Sequence, residues 1–446
     1  MAVSPMTIAL IGVGVLLILL FMGMNIGTSM FAVGFFGCLV AYMAQGLEFS
    51  AAVNAAFIVF RRIPFTQATN YSFVVIPLFV LMGQLSYYSG MSSGLYDMAH
   101  KLLGSLRGGL AMASVAACAL FGAICGSSAA TAATMGVVAL PEMRKHGYDD
   151  GMACASIAAG GTLGILIPPS TGFILYGIVA GESVGKLFAA GIIPGIIMAI
   201  CFCIAIAIIV ARDPKKAPGK MKFTVKEKIV SLKGGLPMVV LFVVVIGGIL
   251  TGFFTAVEAS AIGCFMAWLY LVIRGRFTMK ILKDCLVDTV KTSGMIFLIL
   301  IGAYVFGSFL TVTRLPTTLA AFVETLNVSR YVVLAVILVI YAIMGCLMDS
   351  LAMVMLTVPI FYPILVTGLG FDGIWYGVIM VMVMQLGLIT PPVGMSAYII
   401  CGVAKDVPLQ KIFSALIPMV VAMIVSIIIV IIFPWTAEFL ANMVKF

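Results

Sequence analysis

The chain has 446 residues, of which 63% are hydrophobic and 9% are charged, and its mean hydropathy is +1.25. A soluble domain is about half apolar and about a quarter charged, so this composition excludes a soluble globular protein and indicates one that crosses a membrane many times. The net charge of +9 falls mostly between apolar runs, which is the positive-inside pattern of membrane proteins rather than a nucleic-acid surface.

Many apolar segments approach the ~20 residues that cross the hydrocarbon core as a helix. A spanning backbone must satisfy its own hydrogen bonds, so we predict helices; a β-barrel would show short alternating segments instead. The ten cysteines lie mostly in apolar runs without a CxxC pair, which favours small buried side chains over a disulfide or metal site. The first apolar run lacks a basic n-region and a clear cleavage site, so we interpret it as a span rather than a signal peptide.

The first half, residues 1–211, opens with spans and with helices suited to the membrane interface. In order, the predicted elements are a span at 6–22, a turn at 23–27, a span at 28–45, a flat or shallow segment at 49–63, a span at 71–87 and an amphipathic helix at 92–103.

Residues 108–141 are predicted to form a re-entrant hairpin. The second arm has about twelve residues, which is too short to cross the membrane. Basic residues at both ends, Arg107 on one side and Arg144 with Lys145 on the other, place both ends on the cytoplasmic side. The tip is then Gly126-Ser127-Ser128. The alternative is one full span followed by a buried helix.

Residues 152–180 are too long for an ordinary span and contain Pro168-Pro169. Each proline removes a backbone donor and clashes with the preceding turn, so we predict a broken helix that unwinds at this pair. Unwound backbone at membrane depth must be buried in protein or line a wet cavity. A span at 189–210 follows, and the lysine-rich segment 212–235 is predicted to be a cytoplasmic linker between two halves.

The second half, residues 236–446, repeats this order of elements. The predicted elements are spans at 236–250, 258–273 and 294–310, an interfacial helix at 315–326, a second hairpin at 331–363, a second broken helix at 377–403 with Pro391-Pro392, and a closing span at 412–433.

A single offset of 223 positions relates the two special segments of each half. It pairs Gly122 with Gly345, Gly126 with Asp349, Ser127 with Ser350, Thr134 with Thr357, Gly164 with Gly387, and Pro168-Pro169 with Pro391-Pro392. The loop after the first hairpin is basic, whereas its counterpart 368–373 has no basic residue and carries the acidic Asp372. This difference in charge predicts that the two loops lie on opposite sides of the membrane. The predicted fold is therefore an all-α polytopic membrane protein: an inverted repeat with about ten transmembrane helices and two re-entrant hairpins.

Inverted repeats with broken elements near the midplane are typical of secondary transporters, because interrupted helices offer amides to anions and carbonyls to cations. Asp349 lies in an apolar stretch, where a charge costs roughly 2.5–3.5 kcal/mol and needs a partner or a function. It is either a Na⁺ ligand or a helix cap at the second tip, and the two roles are compatible. The hydroxyl candidates at the first tip are Ser127, Ser128 and Thr131.

Weaker polar candidates near the breaks are Thr162, Ser170, Gln385, Thr390 and Ser396. Serine and threonine hydroxyls in membrane helices more often bond their own backbone or pack against neighbours, which is the alternative for the serines and threonines among these candidates. The chain has no GxxxxGK[ST] motif for ATP and no HExxH or Ser/His arrangement for proteolysis, so we do not expect an enzyme.

Several motifs together resemble the large membrane subunit of the tripartite ATP-independent periplasmic (TRAP) transporters. They are Phe121-Gly-Ala-Ile-Cys-Gly-Ser-Ser-Ala-Ala-Thr, Pro141-Glu-Met-Arg-Lys-His-Gly-Tyr, Gly161-Thr-Leu-Gly-Ile-Leu-Ile-Pro-Pro-Ser, Ala189-Ala-Gly-Ile-Ile-Pro-Gly, and in the second half 345–359 and 387–392. The resemblance covers essentially the whole chain.

This resemblance implies a Na⁺-coupled importer of organic acids, such as C4-dicarboxylates or sugar acids, in a bacterial inner membrane. It implies an elevator motion, as in ion-transporter-superfamily architectures, and two partners: a small four-helix membrane subunit and a periplasmic substrate-binding protein. No small-subunit sequence precedes the first span, so that subunit is expected to be a separate chain. The alternatives are a stand-alone carboxylate transporter and, from another class, a channel or membrane scaffold.

The resemblance also places ion positions on this sequence. The implied Na⁺ positions are Gly126, Ser127, Gly164, Pro168, Asp349, Ser350, Gly387, Thr390 and Pro391. The substrate candidates are Ser127, Ser128, Thr131, Thr162, Ser170, Ser350, Gln385 and Ser396. Backbone carbonyls would supply much of the ion coordination.

Overall fold

The computed structural model describes residues 4–218, 221–326 and 328–444, and the regular elements in these ranges are helical. The helices of the first half are α1 (Pro5–Phe21), α2 (Ile26–Ala44), α3 (Phe49–Ala68), α4 (Val75–Tyr88), α5 (Met91–Leu103), α6 (Gly109–Cys125), α7 (Ser128–Lys145), α8 (Asp150–Leu166), α9 (Thr171–Ala180) and α10 (Val184–Arg212). Those of the second half are α11 (Val225–Leu250), α12 (Ala256–Ile273), α13 (Met279–Val312), α14 (Leu315–Thr325), α15 (Arg330–Gly345), α16 (Ser350–Tyr362), α17 (Gly373–Ile389), α18 (Met395–Ala404), α19 (Leu409–Ile432) and α20 (Trp435–Ala441).

The helices are long and apolar enough for a polytopic membrane protein. Within the described ranges, nine helical segments have the length and hydropathy to cross a bilayer, and several shorter apolar helices accompany them. The shorter ones include the first arm of each predicted hairpin, α6 and α15, and the two halves of the second broken helix, α17 and α18. The prediction of an all-α polytopic membrane fold is confirmed.

The order of helices repeats between the halves. Helices α6 and α7 with the broken pair α8 and α9 correspond to α15 and α16 with the broken pair α17 and α18. The peptide bonds Pro168-Pro169 and Pro391-Pro392 are both cis. The internal repeat is therefore visible in the structure, and the opposite membrane orientation of the halves stays a prediction.

Two helices extend beyond the bounds of the spans predicted at 236–250 and 294–310. The linker predicted at 212–235 ends earlier, because α11 begins at Val225 behind a capping box in which the Thr224 N–H donates to Glu227 Oε2 at 2.7 Å and the Glu227 N–H donates to Thr224 Oγ1 at 3.3 Å. The span predicted at 294–310 is part of the 34-residue helix α13. A span predicted from hydropathy ends at the first charged residues, whereas the hydrogen-bonded helix continues past them.

The chain divides into two compact units, and each draws segments from both halves of the repeat. Unit 1 comprises the chain up to Val74, Val290–Val339 and Leu351–Gly373, and unit 2 comprises Val75–Thr289, Ile340–Ser350 and the chain from Ile374 onward. Both broken helices, the first hairpin and the tip of the second hairpin belong to unit 2.

Unit 1 is built on close contact between α2 and α13. A Cβ on Gly34 would lie 2.7 Å from the backbone nitrogen of Phe306, and one on Gly37 would lie 2.6 Å from the Phe309 ring. Glycine at these positions lets two membrane helices approach backbone to backbone. Edge-on rings of Phe35, Phe57 and Phe60 then pack on the α2–α3 side.

Helix α8 is the centre of unit 2. Every residue from Gly151 to Leu166 is buried, and the helix packs against α6, α7, α10, α18 and α19. Its sequence is rich in Gly and Ala, and small side chains allow this many neighbours around one membrane helix. Neighbouring helices therefore surround the first half of the broken helix, and they fix the position of its interruption at Ile167–Ser170 within unit 2.

Candidate functional site: two helix tips and two helix breaks

The first hairpin turns at Gly126 and Ser127. Helix α6 ends at Cys125, and Gly126 adopts φ +64°, in the left-handed region that favours glycine. Its N–H donates to the Gly122 carbonyl at 2.7 Å, and Ser127 then begins α7 as a cap, its hydroxyl accepting from the Ala130 N–H at 3.4 Å. The structure therefore interrupts the helix at the predicted tip, and the re-entrant course of the hairpin stays a prediction.

This tip lies directly against the first helix break. The Thr171 hydroxyl, in the first turn of α9, donates to the Gly126 carbonyl at 2.7 Å, and the Thr171 N–H reaches the same oxygen at 3.4 Å. A Cβ on Gly126 would lie 3.1 Å from the Pro169 carbonyl oxygen. The hairpin tip and the unwound segment therefore form one continuous polar cluster.

A glycine crossing fixes the geometry below the first tip. A Cβ on Gly122 would lie 2.4 Å from the Gly164 Cα, so α6 and α8 touch through their backbones. The Thr131 hydroxyl donates to the Ser127 carbonyl at 2.7 Å and would lie 2.7 Å from a Cβ on Gly164. The structure thus brings together the candidates Gly126, Ser127, Thr131 and Gly164.

The second tip repeats the crossing with different polar groups. A Cβ on Gly387 would lie 2.0 Å from the carbonyl carbon of Gly345, so α15 and α17 also touch through backbone. Next to this crossing, Cys346 Sγ lies 3.0 Å from Thr390 Oγ1, and the Thr390 hydroxyl donates to the Leu386 carbonyl at 2.8 Å. Tip and break are joined here as well.

Asp349 lies half-buried at the second tip. It immediately precedes Ser350, the first residue of α16, which is the position from which a carboxylate caps a helix and stabilises its positive end. The place of Asp349 fits the capping alternative, and its role as an ion ligand stays a prediction.

The two breaks differ in exposure. Pro168 and Pro169 are buried within unit 2, whereas Pro391 and Pro392 are exposed and the neighbouring Val393 is 42% exposed. In the described chain, the second break is therefore the open one.

Local bonds occupy some of the predicted polar ligands. The Thr162 hydroxyl donates to the Ala159 carbonyl at 2.7 Å, and the Ser170 hydroxyl donates to the Ile165 carbonyl and caps α9 by accepting from the Phe173 N–H. Both hydroxyls thus make the backbone bonds that were the alternative to substrate binding. In contrast, Ser128 and Ser396 meet side chain to side chain at 3.3 Å and join α7 to α18.

Gln385 is the most informative polar residue in unit 2. The side chain is fully buried on α17, two residues before Gly387, and neither its amide oxygen nor its amide nitrogen has a hydrogen-bond partner in the described residues. An unsatisfied buried polar group costs about 1–3 kcal/mol. A buried amide with both a free donor and a free acceptor is rare in folded proteins and needs a physical explanation, such as a ligand, an ion or an ordered water.

Sequence reasoning missed four contributors to these clusters. Thr171 bonds the first tip, Cys346 contacts Thr390, and the glycines Gly122 and Gly345 form the helix crossings. The signal for the glycines was present, since they share the 223-position offset. Thr171 carried a weaker signal, its position directly after the Pro-Pro-Ser segment.

A protein-family model for the DctM component of the tripartite ATP-independent periplasmic transporters matches residues 13–436. The chain belongs to this family. The resemblance inferred from the hairpin and Pro-Pro motifs is confirmed, and this DctM-family chain is a multi-pass protein of a bacterial inner membrane.

Curated relatives of this DctM-family chain are large permease proteins. It is 35% identical over 379 residues to the C4-dicarboxylate TRAP transporter large permease protein DctM of Pseudomonas aeruginosa, with 85% of this chain and 88% of the relative covered. It is 31% identical over 420 residues to the sialic acid permease SiaM of Vibrio cholerae, with 93% and 94% covered. It is 32% identical over 384 residues to the 2,3-diketo-L-gulonate permease YiaN of Escherichia coli, with 83% and 90% covered.

A solved structure shares the fold of the DctM-family chain. The YdaH transporter of Alcanivorax borkumensis, described as having an unusual topology, aligns with a TM-score of 0.59 over 86% of this chain and 90% of its own. The identity is 15%, so this likeness bears on the fold alone.

The relatives are transport permeases rather than enzymes, and the family as a whole works with a periplasmic binding protein and a small membrane subunit.

Proposed function

We propose that the chain is the transport subunit of a Na⁺-coupled importer of an organic acid, which it receives from a periplasmic substrate-binding protein. A small four-helix membrane subunit completes the complex. The observation that carries the proposal is the paired geometry in unit 2, where the first tip bonds the first break through Thr171 and the second tip contacts the second break through Cys346 and Thr390.

Na⁺ is the proposed coupling ion because broken helices and tight tips present backbone carbonyl oxygens, to which Asp349 adds a carboxylate at the second tip. The proposed ion positions are Gly126, Ser127, Gly164 and Pro168 at the first site and Asp349, Ser350, Gly387, Thr390 and Pro391 at the second. At the first site the Gly126 carbonyl already accepts from Thr171, so an ion at this oxygen shares or replaces that bond. Ion binding would then act directly on the contact between tip and break.

The proposed substrate is a carboxylate bound by neutral donors and helix amino ends. Gln385 supplies an unpaired amide, and the Ser128–Ser396 pair supplies hydroxyls from both halves of the repeat. The further proposed contacts are Ser127, Thr131 and Ser350 at the tips, with Thr162 and Ser170 contributing only if their backbone bonds open. The relatives named for C4-dicarboxylates, sialic acid and 2,3-diketo-L-gulonate support an organic acid as the class.

The family resemblance supports an elevator motion, and alternating access of the site is its measurable consequence. The background keeps Cys346 and replaces the other nine native cysteines. In it, the labelling that Ser127→Cys adds with a membrane-impermeant maleimide would come from one side of the membrane at a time, with the reactive side changing on addition of Na⁺ and substrate. Labelling from both sides at once under one condition would argue for a channel instead.

Uptake into proteoliposomes tests the proposed function. The chain, its small subunit and the loaded binding protein should give saturable uptake of the acid that rises with an inward Na⁺ gradient. Uptake indifferent to that gradient removes the coupling claim. Equal uptake by this chain alone would favour the stand-alone transporter, and a flux that never saturates would favour a channel.

A further inference from the structure

An apolar groove opens between α5, α11 and α12, away from the tips and breaks. Its origin is a close helix crossing, because a Cβ on Gly94 would lie 2.5 Å from the Gly234 carbonyl oxygen. Helix α5 begins at Met91, only three residues before this contact, while α11 continues beyond it through Pro237. The space that α5 would fill if it were longer is left open against α11 and α12, with a volume of about 200 Å³.

The groove has a buried floor and exposed walls, and both are apolar. Met91 and Leu241 on the floor are almost fully buried, whereas Val240, Leu269 and Ile273 on the walls are 41%, 40% and 71% exposed. The volume is below the ~300–1,000 Å³ of drug-sized ligand pockets. A narrow, apolar and open-sided space of this size suits one flexible hydrocarbon chain that enters from the bilayer.

Positive charge gathers at the end of the groove where α12 ends. The Arg274 guanidinium lies 5.8 Å from the centre of the Tyr270 ring, which lines the groove, and Arg276 Nη1 donates to the Ser89 carbonyl at 3.3 Å, two residues before the floor residue Met91. In the described ranges neither guanidinium makes an ion pair. The exposed Lys233 precedes Pro237 by about one helical turn.

We infer that this groove is a binding site for an anionic phospholipid, with one acyl chain against the floor and the headgroup phosphate between Arg274 and Arg276. Basic pockets between transmembrane helices on the cytoplasmic side bind acidic headgroups, and the basic character of the segment after α12 places it on that side. Charge complementarity selects an anionic lipid rather than a zwitterionic one, and the apolar groove selects a lipid rather than free phosphate.

Native mass spectrometry of the purified full chain, with phosphatidylglycerol or phosphatidylethanolamine added back, tests this assignment. The wild type should retain one phosphatidylglycerol. Arg274→Gln/Arg276→Gln should retain it about thirtyfold less, which corresponds to about 1 kcal/mol for each basic residue. The matched control, Lys280→Gln/Lys283→Gln, removes the same charge from exposed positions outside the groove and should retain it like the wild type.

A groove-filling variant separates the chain from the headgroup. Val240→Trp keeps both arginines and should also lose the lipid, while its unfolding temperature without lipid shows that it is folded. Equal retention of both lipid types, or retention by the arginine variant equal to that of the control, would overturn the assignment. So would a complex that carries no lipid and in which Leu269→Cys crosslinks to the small subunit, because the groove would then seat a protein helix.

Discussion

The glycine crossing between α15 and α17 gives a prediction whose magnitude follows from the structure. In Gly387→Ala the new Cβ would lie 2.0 Å from the Gly345 carbonyl carbon, against about 3.4 Å for ordinary contact, so α15 and α17 must separate by more than 1 Å. Overpacking of this kind costs about 1–3 kcal/mol. The control Gly402→Ala lies within α18, where a Cβ meets nothing within 4 Å. Both variants gain about 1 kcal/mol of helix propensity, so the difference between them isolates the crossing.

Thermal unfolding in detergent and uptake in proteoliposomes measure this effect. Gly387→Ala should be about 1–3 kcal/mol less stable than Gly402→Ala, which should match or exceed the wild type. Uptake by Gly387→Ala should fall further than stability predicts, because the shift also separates Cys346 from Thr390, and a misplacement of about 1 Å in a functional constellation costs up to about 100-fold in rate. Equal stability and uptake in the two variants would refute the backbone contact between tip and break.

Three other outcomes are expected. Asp349→Ala should abolish most Na⁺-dependent uptake while the protein still inserts in the membrane, and near-normal uptake would count against an ion role. Gln385→Leu should raise the unfolding temperature, because it removes an unsatisfied buried amide worth about 1–3 kcal/mol, yet it should weaken uptake; a destabilised protein would show that the amide is paired after all. The hydrogen bond from Arg144, at 2.7 Å, lowers the pKa of Asp406. The ionised Asp406 carboxylate therefore stabilises the folded state at pH values above its unfolded pKa of about 3.9. This contribution is lost as pH falls through the lower pKa that Asp406 has in the folded state. The melting temperatures of the wild type and Arg144→Gln should therefore run parallel between pH 5 and 8 and converge below about pH 4; parallel curves throughout would exclude this linkage.

The elements that carry the site were readable from the sequence, because they depend on local chemistry. Paired prolines interrupt any helix, so both breaks lie where the sequence predicts them. Gly126 and Ser127 similarly stop one helix and start the next. The repeat offset then identified the second tip around Asp349, although nothing local marks it as strongly.

What the sequence did not predict depends on neighbours that are distant in the chain. No local signal shows that Thr171 bonds Gly126, that Cys346 meets Thr390, or that Gln385 remains unpaired. The different exposure of the two breaks also escapes a repeat analysis, since Pro168 and Pro391 occupy equivalent positions in the two halves. The start of α11 was missed because its capping box lies in a segment whose lysines indicate a loop.

A high-resolution map of the complete complex with saturating Na⁺ and its organic acid, compared with one in K⁺ alone, tests the central claim most directly. The account predicts ion density beside Gly126 and beside Asp349, with the acid in contact with Gln385, and loss of all three features in K⁺. Ion and substrate density elsewhere in the protein, with the two tips and breaks unchanged between the maps, would contradict it.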